Sequence, residues 1–140
     1  MRAMTLEEKL YNELTAQNNS FLIGIRVNIK WEHQKFINLI ELMRDYILKT
    51  ENNSIIERKF LKGYLYLSRF IPQWTSHDNF RRNNNAFSND YYETAYKLIS
   101  LIYNWFVNGS VFDTIERNIN DYEEYLNKLT SLIKEDGYNS

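Results

Sequence analysis

Few side chains in this sequence could do covalent or metal chemistry. There are two histidines, His33 and His77, and no cysteine. The absence of Cys excludes disulfides, thiolate metal sites and thiolate nucleophiles. His77 stands next to Asp78 and three residues after Trp74. A metal centre there would need two or three further ligands, and neither Glu-x-x-His nor His-x-x-x-His spacing occurs. The chain has no Gly-x-Ser-x-Gly elbow and no phosphate-binding glycine loop, which argues against serine hydrolysis and nucleotide hydrolysis. Arg81-Arg82, beside Phe80 and Asn83-Asn84-Asn85, reads either as a phosphate contact or as two solvated cations in a loop.

Arg26 and His33 form the one arrangement with catalytic spacing. Six residues separate them, so on a continuous helix they lie two turns apart on one side. This spacing resembles the Arg-x(4–6)-His motif of the HEPN family, whose all-helical domains include ribonucleases. The resemblance implies that Arg26 polarises a phosphate and that His33 acts as, or orients, the acid/base group of RNA cleavage. Val27 departs from that pattern, because the family motif usually has a polar residue after the Arg. His33 also falls within an apolar stripe with Ile29, Phe36 and Ile40, the setting of a hydrogen-bonded core histidine.

The elements that must position these groups are helical by pattern. Thr5-Leu6-Glu7-Glu8 is a capping box, and Leu6, Leu10 and Leu14 share a face, which predicts a helix over about 5–17. Phe21, Ile23, Ile25, Val27, Ile29 and Trp31 alternate as in a strand. Leu22, Ile25, Ile29, Phe36, Ile40, Met43 and Ile47 repeat as in a helix. No partner strand is evident elsewhere, so one long helix over about 21–50 is expected. Ile56, Phe60 and Leu67 mark a third helix that Pro72 should end. Residues 73–88 read as a long loop with room for a helical turn around Asp78 to Arg82. A fourth helix over about 89–107 is apolar around most of its circumference, which marks the buried central helix. Asn108-Gly109-Ser110 should cap it. A fifth helix spans about 111–135. The expectation is an all-α, single-domain bundle of about five helices over residues 1–140.

Composition narrows the function classes. The 140 residues carry 17 basic and 18 acidic side chains, for a net charge of −1, which argues against a dedicated nucleic-acid binder. No stretch reaches the ~18 apolar residues of a membrane span. The N-terminus lacks the apolar run of a signal peptide, so a cytoplasmic location is expected. Eighteen Asn, 14 Ile and 11 Tyr against four Ala reflect AT-rich codons and suggest a bacterial, phage or mobile-element source.

Charge is unevenly placed. Residues 1–70 carry eleven basic and eight acidic side chains, residues 71–140 six basic and ten acidic. The last helix holds most of the acidic excess, including Glu116, Asp121, Glu123 and Glu124. These positions lie off its apolar stripe, either as an ordinary solvated face or as a patch that docks a basic protein. Three Trp, eight Phe and 11 Tyr exceed what one core must bury, so some, Trp74 and Tyr125 among them, are expected to serve as interface anchors.

A small helical chain without Cys, rich in aromatics and acidic in its second half, resembles by overall profile the immunity proteins that neutralise bacterial toxins. The families in question are those of contact-dependent inhibition, bacteriocin and polymorphic-toxin systems. That resemblance implies a non-catalytic protein that occludes a basic toxin domain, such as a nuclease, with no cofactor and no metal. The partner-binding residues expected are Glu116, Asp121, Glu123, Glu124, Tyr125 and Trp74. A HEPN-like ribonuclease and a phage or mobile-element regulatory protein are the alternatives.

Overall fold

The computed structural model describes residues 3–108 and 115–135, with side chains for 3–108 and 117–133. Among these residues are seven helices: α1 (Leu6–Leu14), α2 (Phe21–Arg26), α3 (His33–Thr50), α4 (Arg58–Thr75), α5 (Asp78–Asn83), α6 (Asn89–Asn108) and α7 (Ile115–Glu135). The all-α class stands, with seven helices in place of about five. The expected Gly109 cap and the start of the last helix at 111 lie outside the described residues. Helix α6 packs against α3, α4 and α7, and α1 bridges α3 and α4. As its all-round apolar sequence requires, α6 buries Tyr91, Tyr92, Ala95, Leu98, Ile99, Ile102, Trp105 and Phe106.

Helix α1 starts on the expected capping box: Glu8 N donates to Thr5 Oγ1 at 3.1 Å and Thr5 N donates to Glu8 Oε1 at 3.3 Å. It ends at Leu14, three residues earlier than expected. Ser20 Oγ then accepts from Ile23 N and caps α2.

The single helix expected over 21–50 is two helices. Residues 27–32 interrupt it, and Ile29 adopts a left-handed φ of 53°. That conformation is strained for a β-branched residue, costing on the order of 1–3 kcal/mol. Three hydrogen bonds hold the break. Lys30 N donates to Gly24 O at 3.1 Å, Asn84 Nδ2 donates to Ile29 O at 3.0 Å, and Trp31 N donates to Asn84 Oδ1 at 2.8 Å. The break lets Trp31 turn into the core, where it is 2% exposed. Its ring meets Phe21 at 4.9 Å, Phe36 at 5.0 Å and Tyr92 at 5.4 Å. On an uninterrupted helix Trp31 would lie about 140° from Phe36, on nearly the opposite side, so burial of both selects the break.

Pro72 does not end α4. The helix continues to Thr75, and Ser76 N still donates to Pro72 O at 3.2 Å. Proline costs the bond to the Ser68 carbonyl, and burial of Ile71 and Thr75 on one face outweighs it. The stretch 73–88 is largely helical as well: it contains the end of α4 and the six residues of α5, at the Asp78–Arg82 turn anticipated from sequence. Arg81 ties this corner together. Its Nε donates to Thr75 O at 2.8 Å, its Nη1 donates to Asn89 Oδ1 at 2.9 Å, and its guanidinium lies 3.8 Å from the Tyr92 ring centroid.

Asn84 therefore bonds three backbone groups at once, since its Nδ2 also donates to Phe80 O at 2.8 Å. Asn84→Ala removes the acceptor of a buried amide and should cost on the order of 3 kcal/mol in chemical denaturation. A loss below about 0.5 kcal/mol, the usual range of surface substitutions, would show that the break stands without it.

Candidate functional site

The acidic residues singled out by sequence lie on α7, which packs along α6 through Tyr122, Leu129 and Leu132. Opposed spacings of three and four along α7 bring these residues inward and leave Glu123 and Glu124 exposed, with Asp121 and Tyr125 half-buried. Among the described residues the ion pairs are Glu7–Lys49, Glu32–Lys35 and Arg44–Asp45, so none involves Asp121, Glu123 or Glu124. The Glu116 side chain lies outside the described residues.

Helix α3 adds to this face. Arg44 Cζ sits 5.2 Å from the Tyr122 ring centroid, and Arg44 Nη2 donates to Asp45 Oδ1 at 2.8 Å. Burial pushes the Tyr122 phenol up to about 12. Arg44 opposes that rise, and the carboxylates of Glu41, Glu123 and Asp45 reinforce it. The Arg44–Asp45 pair of α3 therefore lies beside Tyr122 of α7. The acidic face is a two-helix surface with a single arginine stacked at its floor. Sequence reasoning did not find the α3 contribution, because nothing local places Arg44 and Asp45 beside Tyr122.

The Tyr122 hydroxyl, Trp105 Nε1 and Asn118 Nδ2 are buried without a hydrogen-bond partner. Trp105 lies on α6, and Asn118 and Tyr122 lie one turn apart on α7. An unpartnered buried polar group costs about 1–3 kcal/mol. The α6–α7 seam is therefore less well satisfied than the rest of the core.

Trp74 belongs to a different surface. It is 39% exposed on α4, stacks on Phe70 at 5.5 Å and donates from Nε1 to the Ile25 carbonyl at 2.7 Å. Its ring lines a small groove with Ile29 and Phe80, and the structure does not bring it to the α7 carboxylates.

Arg26 and His33 are not on one helix. Arg26 is the exposed last residue of α2, with its guanidinium 5.9 Å from the Phe70 centroid. His33 is the buried first residue of α3. Trp31 Nε1 donates to Tyr91 Oη at 2.8 Å, and the same phenol meets His33 Nδ1 at 2.7 Å. The phenol thus joins the indole and the imidazole in one buried chain of hydrogen bonds. Burial holds the His33 pKa below its ordinary 6.5. His77 is exposed at the start of α5, and among the described residues no group of three His, Asp or Glu side chains converges to hold a metal.

A cavity of about 510 Å³ opens beside the C-terminal ends of α3 and α6. Its lysine, Lys49, is held by both carboxylate oxygens of Glu7, at 2.7 and 2.9 Å.

His33 supplies a pH test of a structural role. Because its folded-state pKa is depressed, the unfolded chain binds a proton that the folded chain does not. Stability from this group is present above about pH 6.5 and is lost as pH falls from there toward the lower folded value. The melting temperature should drop from pH 7 to about pH 5.5 more steeply in the parent than in His33→Gln. Identical pH slopes would show that His33 is not held neutral. Comparison of the chain with protein-family models, curated proteins and solved structures finds no match.

Proposed function

We propose that this chain is a non-catalytic protein-binding module that neutralises a basic toxin domain, as an immunity protein does. The observation that carries the reading is the row of exposed and half-buried carboxylates on α7, Asp121, Glu123 and Glu124, beside the Arg44–Asp45 pair of α3 that packs on Tyr122. Exposed carboxylates without ion pairs add little to folding, about 0–1 kcal/mol even when paired. Arg44 already pairs with Asp45, whereas Asp121, Glu123 and Glu124 have no such partner among the described residues, and an arriving cation would offset their mutual repulsion. A basic cleft supplies charge-assisted hydrogen bonds and steers its own encounter with such a face. Tyr125, half-buried at the edge of the α7 carboxylates, provides an apolar anchor with a polar tip. Trp74 drops out of this surface because it lies on α4.

The toxin reading rests on the overall profile of the chain, and the choice of a basic partner rests on the charge. Glu123→Lys with Glu124→Lys should leave the melting temperature nearly unchanged, since both side chains are exposed. Against a basic toxin domain encoded beside this chain's gene, the reversed variant should associate at least ~10-fold more slowly at low salt. Its association rate should also depend less on salt. Equal on-rates for parent and variant would show that this face is merely solvated.

A further inference from the structure

Helix α4 carries the opposite charge and a row of rings. From Arg58 to Thr75 it has four cations, Arg58, Lys59, Lys62 and Arg69, and no carboxylate. Tyr66, Phe70 and Trp74 recur every four residues and so stand one above another on its outer side. Tyr66 and Trp74 are 47% and 39% exposed. The Tyr66–Phe70 centroids are 5.2 Å apart, and the Phe70–Trp74 centroids are 5.5 Å apart with ring planes within 22° of parallel. The ladder is fixed at its end by the Trp74 Nε1 bond to the Ile25 carbonyl.

Neighbouring elements extend the same chemistry. Arg26 of α2 lies over Phe70, and Lys59 Nζ lies 4.9 Å from the Tyr11 centroid of α1. A groove of about 510 Å³ runs between α1 and α4, and a second of about 420 Å³ continues along α4. The two share Lys62 and Tyr66. Gly63, in the wall of the first, lets α1 approach closely: a Cβ there would meet Leu14 Cδ1 at 2.8 Å. The carboxylates of α1 are turned elsewhere: Glu7 pairs with Lys49, Glu8 accepts from Thr5 N and Glu13 accepts from Phe21 N.

We infer that this face binds single-stranded nucleic acid. Charge complementarity selects a polyanion, and the ring ladder selects one with exposed π faces. Successive bases stack on aromatic side chains whatever their sequence, while interleaved Lys and Arg follow the phosphates. An acidic protein segment satisfies the cations and makes no use of the exposed surface of Tyr66 and Trp74. The seventeen-residue span from Arg58 to Trp74 is about 24 Å long, suited to the short end of the ~4–16 nucleotides that one small domain covers. The net charge of −1 does not oppose this, because binding responds to the local field and α4 itself carries four cations and no carboxylate.

The test is fluorescence anisotropy of the full chain with labelled oligouridylate and oligothymidylate, at about 50 and 200 mM salt. Binding of either strand at the lower salt is expected, weakening roughly 20- to 50-fold at the higher salt if three or four phosphates are neutralised. Lys62→Glu with Arg69→Glu should weaken binding at least ~10-fold and flatten the salt dependence. Tyr66→Ala should weaken it on the order of 10-fold, with recovery in Tyr66→Phe. All three positions are exposed, and unchanged melting curves verify the fold of each variant. The inference is overturned if neither strand binds at the lower salt or if the charge-reversed variant binds as well as the parent. It is equally overturned if a duplex of equal length, or an acidic peptide, competes as effectively as the single strand.

Discussion

The structure depends on burying one large side chain whose polar atom must be satisfied. Trp31 sits at the centre of a ring cluster, and an indole N–H in that setting needs an acceptor. Tyr91 provides it, which fixes the start of α6 against α3 and places His33 on the same phenol. Reaching the cluster forces the backbone out of helical geometry, and Asn84 then receives the amide and carbonyl groups that the break releases. One side chain thus accounts for the separation of α2 from α3, the seat of α5 and the register of α6. The position of α2 in turn brings the Ile25 carbonyl to Trp74. The aromatic ladder on α4 is anchored through the same constraint.

Around that interior the charge is sorted by surface. Helices α4 and α7 each pack against α6, and their outer faces differ in both charge and aromatic content. The α3–α7 face gathers carboxylates around a single stacked arginine, which suits a basic protein. The α1–α4 face gathers cations and exposed rings. A whole-chain charge near zero averages over all 17 basic and 18 acidic side chains and describes neither face. Both readings assign the chain to recognition, with the His33 imidazole committed to the Trp31–Tyr91 chain of hydrogen bonds.

Much of this was legible in the residues. The capping box at Thr5, the all-round apolar character of α6 and the core setting of His33 follow from spacing alone. The break at 27–32 was hidden because neither Gly nor Pro marks its left-handed residue; Ile29 occupies it under tertiary constraint. The competing strand-like alternation from Phe21 to Trp31 was the local trace of that conflict. Pro72 misled because a breaker's effect was weighed without the burial of Ile71 and Thr75. The aromatic side chains divide between core and surface: Trp31, Trp105, Tyr64, Tyr91, Tyr92 and Tyr122 are buried, and Tyr11, Tyr66 and Trp74 are exposed. Trp74 was assigned to the acidic face because sequence places it in the acidic half, whereas its helix is the basic one. The four-residue spacing of Tyr66, Phe70 and Trp74 was present in the sequence, and averaging charge over half the chain concealed the cations beside it.

The claim that Trp31 organises the fold is tested most directly by hydrogen exchange at two of its own protons, the backbone amide held by Asn84 and the indole N–H held by Tyr91. If the account is right, both exchange only through global unfolding, with the same protection free energy as the central amides of α6 and the same dependence on denaturant. Exchange of either proton through a local opening, faster than the α6 amides and insensitive to low denaturant, would contradict it and place the organising contacts elsewhere.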